Sequence, residues 1–186
     1  MTALKTLISE AEYLAIEEVD GGPRYELDEG ELVEMASPSL MHNDVRGITE
    51  LLFRLYLRRN PAGVVTSETD CRLSKNLIRR PDLMFFLNET LEGVDHSKVP
   101  IPVVPEFVLE VVSPSESASD IERRLRQYER AGVRMIVMIY PEDRFATAHL
   151  DGRRIEIDQT GKIEIPFLPG LDLPLAELLK GVPAGR

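Results

Sequence analysis

Two apolar runs decide the fold of this chain, and they read R-R-P-D-L-M-F-F at positions 79–86 and P-E-F-V-L-E-V-V-S-P-S at positions 105–115. The apolar part of the first extends from Leu83 to Leu87, and that of the second extends from Phe107 to Val112. Both are short and rich in Val, Leu and Phe, which is typical of strands buried on both faces of a sheet. We therefore predict two central strands at these positions.

Each of these strands carries one carboxylate. Asp82 lies at the start of the first, and Glu110 lies inside the second. Neighbouring strands would bring the two acids to the same edge of a sheet. An ionised acid in a dry strand needs a partner, and a bound cation is a common one. The alternative is a pair of buried acids satisfied by backbone amides or by an arginine such as Arg80.

The segment that follows predicts a helix and a third dry strand. Ser117 and Asp120 have the spacing of a helix start, and Gly132 ends the helix. Its inward face is marked by Ile121, Leu125, Tyr128 and Ala131. The strand follows from Met135 to Tyr140, and a strand, helix, strand unit of this kind predicts a crossover between parallel neighbours.

The flanking sequence adds elements on both sides of this unit. Upstream, we predict a helix from Thr6 to Ile16, with Leu7, Tyr13 and Leu14 facing inward and Ser9 and Glu12 placed as a capping box, and then a hairpin that turns at 28–30. We next predict one strand or two over residues 63–74, preceded by an amphipathic helix from Leu40 to Arg59 whose inward positions are Val45, Ile48, Leu51, Leu52, Leu55 and Tyr56. Downstream, we predict a hairpin of Arg144–Leu150 and Arg153–Ile157, and a short helix at Leu175–Leu179. The expected fold class is α/β (α+β), with a mixed central β-sheet flanked by helices and an N-terminal β-hairpin.

The composition describes a soluble globular protein. The chain has 186 residues, 43% hydrophobic residues and a mean hydropathy of −0.14. No run approaches the length of a membrane span and the N-terminus lacks the apolar core of a signal peptide, so we expect a cytoplasmic protein. The single cysteine, Cys71, cannot form an internal disulfide, and we interpret it as a small residue in a strand.

The charge distribution is acidic overall but contains clusters of basic residues. A formal net charge of −10 and a pI near 4.9 produce a field that repels phosphodiesters. The basic clusters are Arg54, Arg58 and Arg59; Arg72, Lys75, Arg79 and Arg80; and Arg123, Arg124, Arg126, Arg130 and Arg134. They are consistent with a local nucleic-acid-binding patch or with a solvated face paired with nearby glutamates.

Three further polar residues have alternative interpretations. His42 falls in the first turn of the long helix, where a histidine is commonly a surface or capping residue. Glu26 and Glu31 lie in the N-terminal hairpin, and by pattern alone both are expected to face water. Nothing in the residue pattern alone assigns these side chains to a site.

The ordered motifs of this chain resemble those of a known family. They are Y-E-L-D-E-G-E-L-V-E-M, S-P-S-L-M-H, R-P-D-L-M-F-F, P-E-F-V-L-E-V-V-S-P-S and D-I-E-R-R-L-R-Q-Y-E-R-A-G-V. The chain resembles, from about Tyr13 to about Tyr140, a bacterial family of restriction-endonuclease-like proteins, a branch of the PD-(D/E)xK nuclease superfamily. The resemblance implies one restriction-endonuclease-like domain over 1–186, with an N-terminal helix and hairpin (6–36), a catalytic core (37–150) and a C-terminal hairpin and tail (144–186).

The resemblance also implies a set of site residues. Asp82, Glu110 and the backbone carbonyl of Val111 would hold Mg²⁺ or Mn²⁺, ions that prefer oxygen ligands. The superfamily lysine would fall at position 112, which is valine here. In the resembling family this lysine has moved to the following helix, where this chain has Arg124.

An arginine at that position changes the chemistry. Arg124 can stabilise negative charge but cannot be deprotonated to activate water. The alternative for Arg124 is an i, i+4 ion pair with Asp120 on an exposed helix face. His42 and Glu26 also match family positions, so the resemblance adds them to the candidate site.

Three functions remain open at the level of the sequence. The first is a metal-dependent nuclease that hydrolyses DNA, or else RNA, and that forms a homodimer by analogy with enzymes that cut both strands. The second is a non-catalytic interaction module that kept the nuclease fold after the replacement of lysine by arginine. The third is a small-molecule phosphoesterase with the same metal site.

Overall fold

The computed structural model describes residues 7–16 and 22–183 of the chain. Its helices are α1 (Glu10–Leu14), α2 (Leu40–Leu57), α3 (Ala118–Ala131) and α4 (Leu175–Leu178). Its strands are β1 (Tyr25–Asp28), β2 (Glu31–Glu34), β3 (Gly63–Thr66), β4 (Cys71–Ser74), β5 (Leu77–Arg79), β6 (Leu83–Leu87), β7 (Phe107–Val111), β8 (Met135–Tyr140), β9 (Phe145–Leu150), β10 (Arg153–Asp158), β11 (Lys162–Glu164) and β12 (Asp172–Pro174).

A six-stranded mixed sheet forms the centre of the fold. Its strand order is β10, β9, β8, β7, β6, β3, and β7 and β8 run parallel while the other neighbours run antiparallel. The expected parallel pairing across the strand, helix, strand unit is therefore confirmed. The expected fold class, a mixed central sheet with helices and an N-terminal hairpin, is confirmed with it.

Both faces of this sheet are buried at its centre, because β6, β7 and β8 are apolar at nearly every position. Alternate side chains of β6 and β7, such as Phe85 and Leu109, pack with α2 and the C-terminal segment in one core cluster. The intervening residues, such as Phe86 and Val108, pack with α3 and β4 in a second cluster. Because successive side chains of a strand point to opposite faces, these two strands pack against α2 on one face of the sheet and against α3 on the other.

A smaller antiparallel sheet has the order β2, β1, β5, β4. The hairpin of β1 and β2 turns at Glu29 and Gly30, as predicted, with both residues at positive φ. The expectation of one strand or two over residues 63–74 is confirmed, because β3 and β4 lie there, whereas β5, which follows at Leu77–Arg79, was not predicted. A tight turn with Asn76 at φ 59° separates β4 from β5, and asparagine tolerates this backbone region better than most residues. The short pair β11 and β12 in the tail was also not predicted.

The N-terminal helix is shorter than predicted. Helix α1 begins after Ser9, whose side chain and that of Glu12 form the predicted capping box. Leu7 does not face inward, since it forms a β-bridge with Glu31 and its side chain is 74% exposed. Leu14 is also exposed, so Tyr13 is the buried residue of this helix. Thr6, the predicted first residue, lies outside the described residues.

Helix α2 begins where predicted but is rotated about its axis. Its buried residues are Val45, Thr49 and Phe53, whereas Leu51 and Leu55, predicted to face inward, are 54% and 49% exposed. The ring of Phe53 lies 5.9 Å from that of Phe85 and 5.3 Å from that of Phe107. These aromatic contacts with β6 and β7 fix the rotation. Within residues 7–16 and 22–183, no helix combines the length and apolar character needed to cross a membrane.

Candidate active site

The register of two antiparallel strands brings Asp82 and Glu110 together. Leu83 in β6 is paired with Leu109 in β7. The residue before Leu83 and the residue after Leu109 are therefore opposite each other, because antiparallel neighbours run in opposite directions. These residues are Asp82 and Glu110, which are 8% and 5% exposed. Two carboxylates thus meet at one buried end of the β6 and β7 pair.

Each oxygen of Asp82 has a partner. Oδ1 lies 2.6 Å from Nε2 of His42, and Oδ2 accepts a hydrogen bond of 2.7 Å from the backbone N–H of Val111. His42 is fixed in the first turn of α2, where its own N–H donates to Oγ of the N-cap Ser39 at 3.1 Å. His42 therefore belongs to the same cluster as the acids. The contact with Val111 involves its N–H, and the role of its carbonyl stays a prediction.

Glu110 is enclosed by aromatic and cationic groups of α3. The hydroxyl of Tyr128 donates to Oε1, and the NH1 atom of Arg124 lies 3.8 Å from Oε2. Burial raises the pKa of Glu110 to about 8, although the charge of Arg124 opposes the rise; the neighbouring Asp82 adds to it. Glu110 is thus a carboxyl group whose ionised form requires more positive charge than the protein supplies.

Arg124 faces the site and does not pair with Asp120. Its NH2 atom donates to Glu116, and Asp120 instead pairs with Arg123 at 3.2 Å. The alternative interpretation of Arg124 as an exposed i, i+4 partner of Asp120 is therefore wrong. Burial lowers the pKa of Arg124, but Glu110, Glu116, Tyr128 and Glu26 together raise it by more, so its net shift is upward and the guanidinium stays charged.

Tyr128 lies on the inward face of α3, as predicted, and its contact with Glu110 was not predicted. The side chain is fully buried, and burial together with the charge of Glu110 raises its pKa well above the ordinary value for tyrosine. Tyr128 is consequently a hydrogen-bond donor throughout the physiological pH range. Its position one helical turn after Arg124 was the available signal, because residues four apart share a helix face.

Glu26 is buried, and the expectation that it faces water is wrong. Its Oε1 accepts a hydrogen bond of 2.7 Å from the N–H of Arg80, and its Oε2 accepts one of 2.6 Å from NH1 of Arg79. Its negative charge contributes to the raised pKa values of Glu110 and Tyr128. Glu26 therefore lies close enough to act electrostatically on the acid pair.

A buried network of charged side chains supports Glu26. Besides its contact with Glu26, Arg79 pairs with Asp28 at 2.8 Å and donates to Oε1 of Gln127. Gln127 in turn donates to Oδ1 of Asp28 at 2.6 Å. Arg79 is 3% exposed. The interpretation of its basic cluster as a solvated face therefore does not hold for this residue.

Arg80 is also buried, at 9% exposure, and its Nε donates to Oδ1 of Asp70 at 2.6 Å. The alternative for Asp82, an acid held by a backbone amide, agrees with its contact to Val111.

Among residues 7–16 and 22–183, no group of three or more His, Cys, Asp and Glu side chains is arranged to hold a metal ion. The roles of Asp82, Glu110, Val111, Arg124, His42 and Glu26 stay predictions.

Comparison with solved structures supports the fold. One similar structure is the crystal structure, at 1.96 Å resolution, of a protein from Anabaena variabilis ATCC 29413 described as "a putative nuclease belonging to DUF820". The two chains are 17% identical, with a TM-score of 0.80 over 93% of this chain and 98% of the other. At this level of identity the likeness shows a shared fold.

No curated protein matches this chain, but a family model matches nearly all of it. The model of the Uma2 family, described as "Putative restriction endonuclease", matches residues 10–176, a range that extends past the motifs from Tyr13 to Tyr140. The predicted resemblance is confirmed by this match. The chain belongs to the Uma2 family.

Proposed function

We propose that the protein is a metal-dependent nuclease that hydrolyses phosphodiester bonds, with DNA as the first candidate substrate and RNA as the second. One observation carries this proposal: Asp82 and Glu110, the acids predicted from the motifs, lie opposite each other at a buried end of β6 and β7. Membership of the Uma2 family supports the same function.

The chemistry of the donor set fits Mg²⁺ or Mn²⁺. Asp82, Glu110 and the carbonyl of Val111 would supply oxygen ligands, which both ions prefer. Mg²⁺ is commonly held by one or two carboxylates and several waters, so a cage of three acidic side chains is not required. The upward shift in the pKa of Glu110 also fits, because a buried carboxylate of this kind is stabilised by a nearby cation. When bound, the ion would supply an activated water and stabilise charge on the phosphoryl oxygens.

The surrounding side chains orient the two acids. His42 holds one oxygen of Asp82 and the N–H of Val111 holds the other, which fixes the plane of that carboxylate. Tyr128 does the same for Oε1 of Glu110. Arg124 keeps a permanent positive charge beside the acids and is placed to stabilise negative charge on a phosphate. Glu26 adds a negative charge whose position is set by Arg79.

Titration calorimetry with Mn²⁺ and cleavage assays test this function together. We expect wild type to bind Mn²⁺ and to cut plasmid DNA, single-stranded DNA or RNA, and we expect Asp82→Asn and Glu110→Gln to lose both properties while keeping the circular dichroism spectrum. Glu156→Gln is the matched control, because it removes one carboxylate that pairs with Arg154 on the distant edge strand β10. Absence of Mn²⁺ binding and of cleavage in wild type, with nucleic acid present, would refute the proposal.

The second candidate is a non-catalytic interaction module, and the placement of Arg124 favours it. The guanidinium lies between Glu110 and Glu116, at the position from which the family lysine would act. Replacing Arg124 by lysine distinguishes the two functions. If wild type is inactive and Arg124→Lys cleaves DNA, the natural chain is a module that retains a restorable site. If wild type cleaves and Arg124→Ala does not, arginine performs the role itself.

A further inference from the structure

An ion-pair cluster lies one helical turn along α2 from the contact between His42 and Asp82. Arg46 follows His42 by four residues, so the two share a face of the helix and are separated by about 6 Å along its axis. NH1 of Arg46 pairs with Oε1 of Glu68, and NH1 of Arg24 pairs with Oε2 of the same carboxylate at 2.8 Å. Two guanidinium groups therefore converge on one acid.

The loop that carries Glu68 is attached to the segment that carries Asp82. The backbone N–H of Glu68 donates to the carbonyl of Pro81 at 3.3 Å, and Pro81 directly precedes Asp82. Glu68 has φ of 50°, in the left-handed region that is unfavourable for residues other than glycine, asparagine and aspartate. A backbone held in this conformation needs support from its surroundings, and the two arginines provide it.

Another acid on the same face of α2 is already engaged. Glu50, one turn beyond Arg46, accepts hydrogen bonds of 2.7 Å from Oγ of Ser67 and from Nε of Arg54. Arg46 acts electrostatically on Glu50 but forms its ion pair with Glu68, and the cluster of Arg24, Arg46 and Glu68 contains two positive charges and one negative. The side chains are 55%, 19% and 26% exposed, so a ligand from solvent can reach Arg24 and Glu68 directly, whereas NH1 of Arg46 is covered while Glu68 is in place. A local excess of positive charge beside the acid pair contrasts with the net charge of −10.

We propose that Arg24 and Arg46 form a binding site for a backbone phosphate of the nucleic acid, and that Glu68 occupies this site in the free protein. The inference rests on the proposed nuclease function and adds to it a point of contact with the substrate. Carboxylates and phosphates are both bound by guanidinium groups through paired hydrogen bonds, so a phosphodiester can replace the carboxylate. The replaced Glu68 moves into solvent with its loop, and the phosphate then lies about one helical turn from Asp82.

Binding measured without cleavage tests this site. Fluorescence anisotropy of a labelled DNA duplex, in EDTA and at low salt, gives the affinity of each variant. We expect Glu68→Gln to tighten binding roughly fivefold, because the competing negative charge is removed. Glu68→Gly should act in the same way, and it also suits the left-handed backbone. Glu156→Gln, which removes a carboxylate paired with Arg154 on β10, should leave the affinity within about twofold of wild type.

The arginines should act in the opposite direction. Arg46→Gln and Arg24→Gln should each weaken binding and lower the slope of log affinity against log salt by about 1, since one phosphate contact is lost. Arg154→Gln is the matched control. The same measurement with single-stranded RNA separates two supporting outcomes: equal effects on both polymers indicate recognition of the phosphate alone, and effects on one polymer assign the site to that class.

The outcomes for this site and for the nuclease function are separable. If Glu68→Gln tightens binding but no variant cleaves nucleic acid, the phosphate site stands and the nuclease function fails. If wild type cleaves but neither Glu68 variant tightens binding and both arginine variants bind like wild type, the phosphate site is refuted and the nuclease function stands. Absence of binding by wild type and by Glu68→Gln alike also refutes the phosphate site.

Discussion

Arg79 balances the buried negative charge behind the acid pair. It contacts Glu26, Asp28 and Gln127, and its side chain is almost completely removed from solvent. Burial lowers the pKa of this guanidinium, but Glu26, Asp28 and Tyr128 together raise it by more. A buried carboxylate without a partner is costly, so the burial of Glu26 depends on its ion pair with this arginine. Arg79 is therefore a positioning residue for the candidate site.

Removing Arg79 should destabilise the protein strongly. We expect Arg79→Ala to lower the free energy of unfolding by about 3 kcal/mol, because the buried Glu26 and Asp28 lose their ion pairs with Arg79 and Asp28 is left with the partly exposed Arg123. Arg72→Ala is the matched control: its pair with Glu10 is partly exposed, and we expect a loss of less than about 1 kcal/mol. Urea denaturation of both variants measures the difference. Equal losses of stability would show that Arg79 stabilises its buried carboxylates no more than Arg72 stabilises Glu10.

Cys71 should be unreactive in the folded protein. Its side chain is fully buried, and burial, with the charge of Asp70, raises the pKa of the thiol to about 12. The thiolate is the reactive form, so its population at pH 8 is about one part in ten thousand. We expect iodoacetamide to label Cys71 in urea but not in buffer over the same time. Rapid labelling of the native chain would contradict this burial.

At the scale of elements, strand β3 depends on close contact with β6. A methyl group added at Gly63 would lie 1.9 Å from the carbonyl oxygen of Phe86 and 2.7 Å from the ring of Phe85. Neither the strand backbone nor the packed ring can move away without separating the strands. The edge of the central sheet therefore requires glycine at this position, for reasons of space.

We expect Gly63→Ala to lower the free energy of unfolding by about 3 kcal/mol through this overpacking. Gly47→Ala is the matched control, because Gly47 is exposed within α2 and an added Cβ meets no atom within 4 Å. Alanine there should stabilise the protein by about 0.5 to 1 kcal/mol, since glycine is a poor helix former. Thermal unfolding of the two variants should shift in opposite directions, and a shared direction would contradict the assigned contacts.

The accuracy of prediction from sequence also differs between elements. The limits of β6 and β8 follow from their apolar runs, and the start of α1 follows from the capping pattern of Ser9 and Glu12. These features depend on neighbours in the sequence. Strand β5 has three residues and is stabilised by pairing with β1 and β4. No local pattern reports such a pairing, so it could not be predicted.

At the scale of the molecule, His149 should make the stability of the protein depend on pH. This histidine lies in β9; burial lowers its pKa from 6.5, Glu129 raises it in part, and the net shift is downward. Both the folded and unfolded states are neutral at His149 above about pH 6.5. As the pH falls below that value the unfolded state takes up a proton first, so stability is lost with decreasing pH.

We therefore expect His149→Gln to reduce the loss of stability between pH 7.5 and 5.5 relative to wild type. Urea midpoints at the two pH values measure this loss in both proteins. Subtracting the loss of the variant from that of wild type cancels the contributions of the carboxylates. At the higher pH, where the imidazole is neutral in both states, the difference between the proteins gives the cost of the substitution itself. A wild-type loss no larger than that of the variant would show that the pKa of His149 is not lowered.

The candidate site could be predicted in part, for reasons that also belong to the whole molecule. Asp82 stands out because it lies at the start of an apolar run, and Glu110 because it interrupts one, and sequence alone reveals such exceptions. The burial of Glu26 and Arg79 could not be predicted, because their contact joins residues 53 positions apart. The same holds for the contact of Tyr128 with Glu110 across 18 positions. Charge pairing over such separations is a property of the folded chain.

The antiparallel course of β6 and β7 places their connection at the end opposite the acid pair. The chain leaves β6 at Leu87 and enters β7 at Phe107, whereas Asp82 and Glu110 lie at the other end of both strands. Residues 95–99 within this connection are exposed. New termini could therefore be opened there by circular permutation, or a fluorescent reporter inserted, without disturbing the acids. The connection offers an attachment point for following the protein in living cells while its chemistry is left intact.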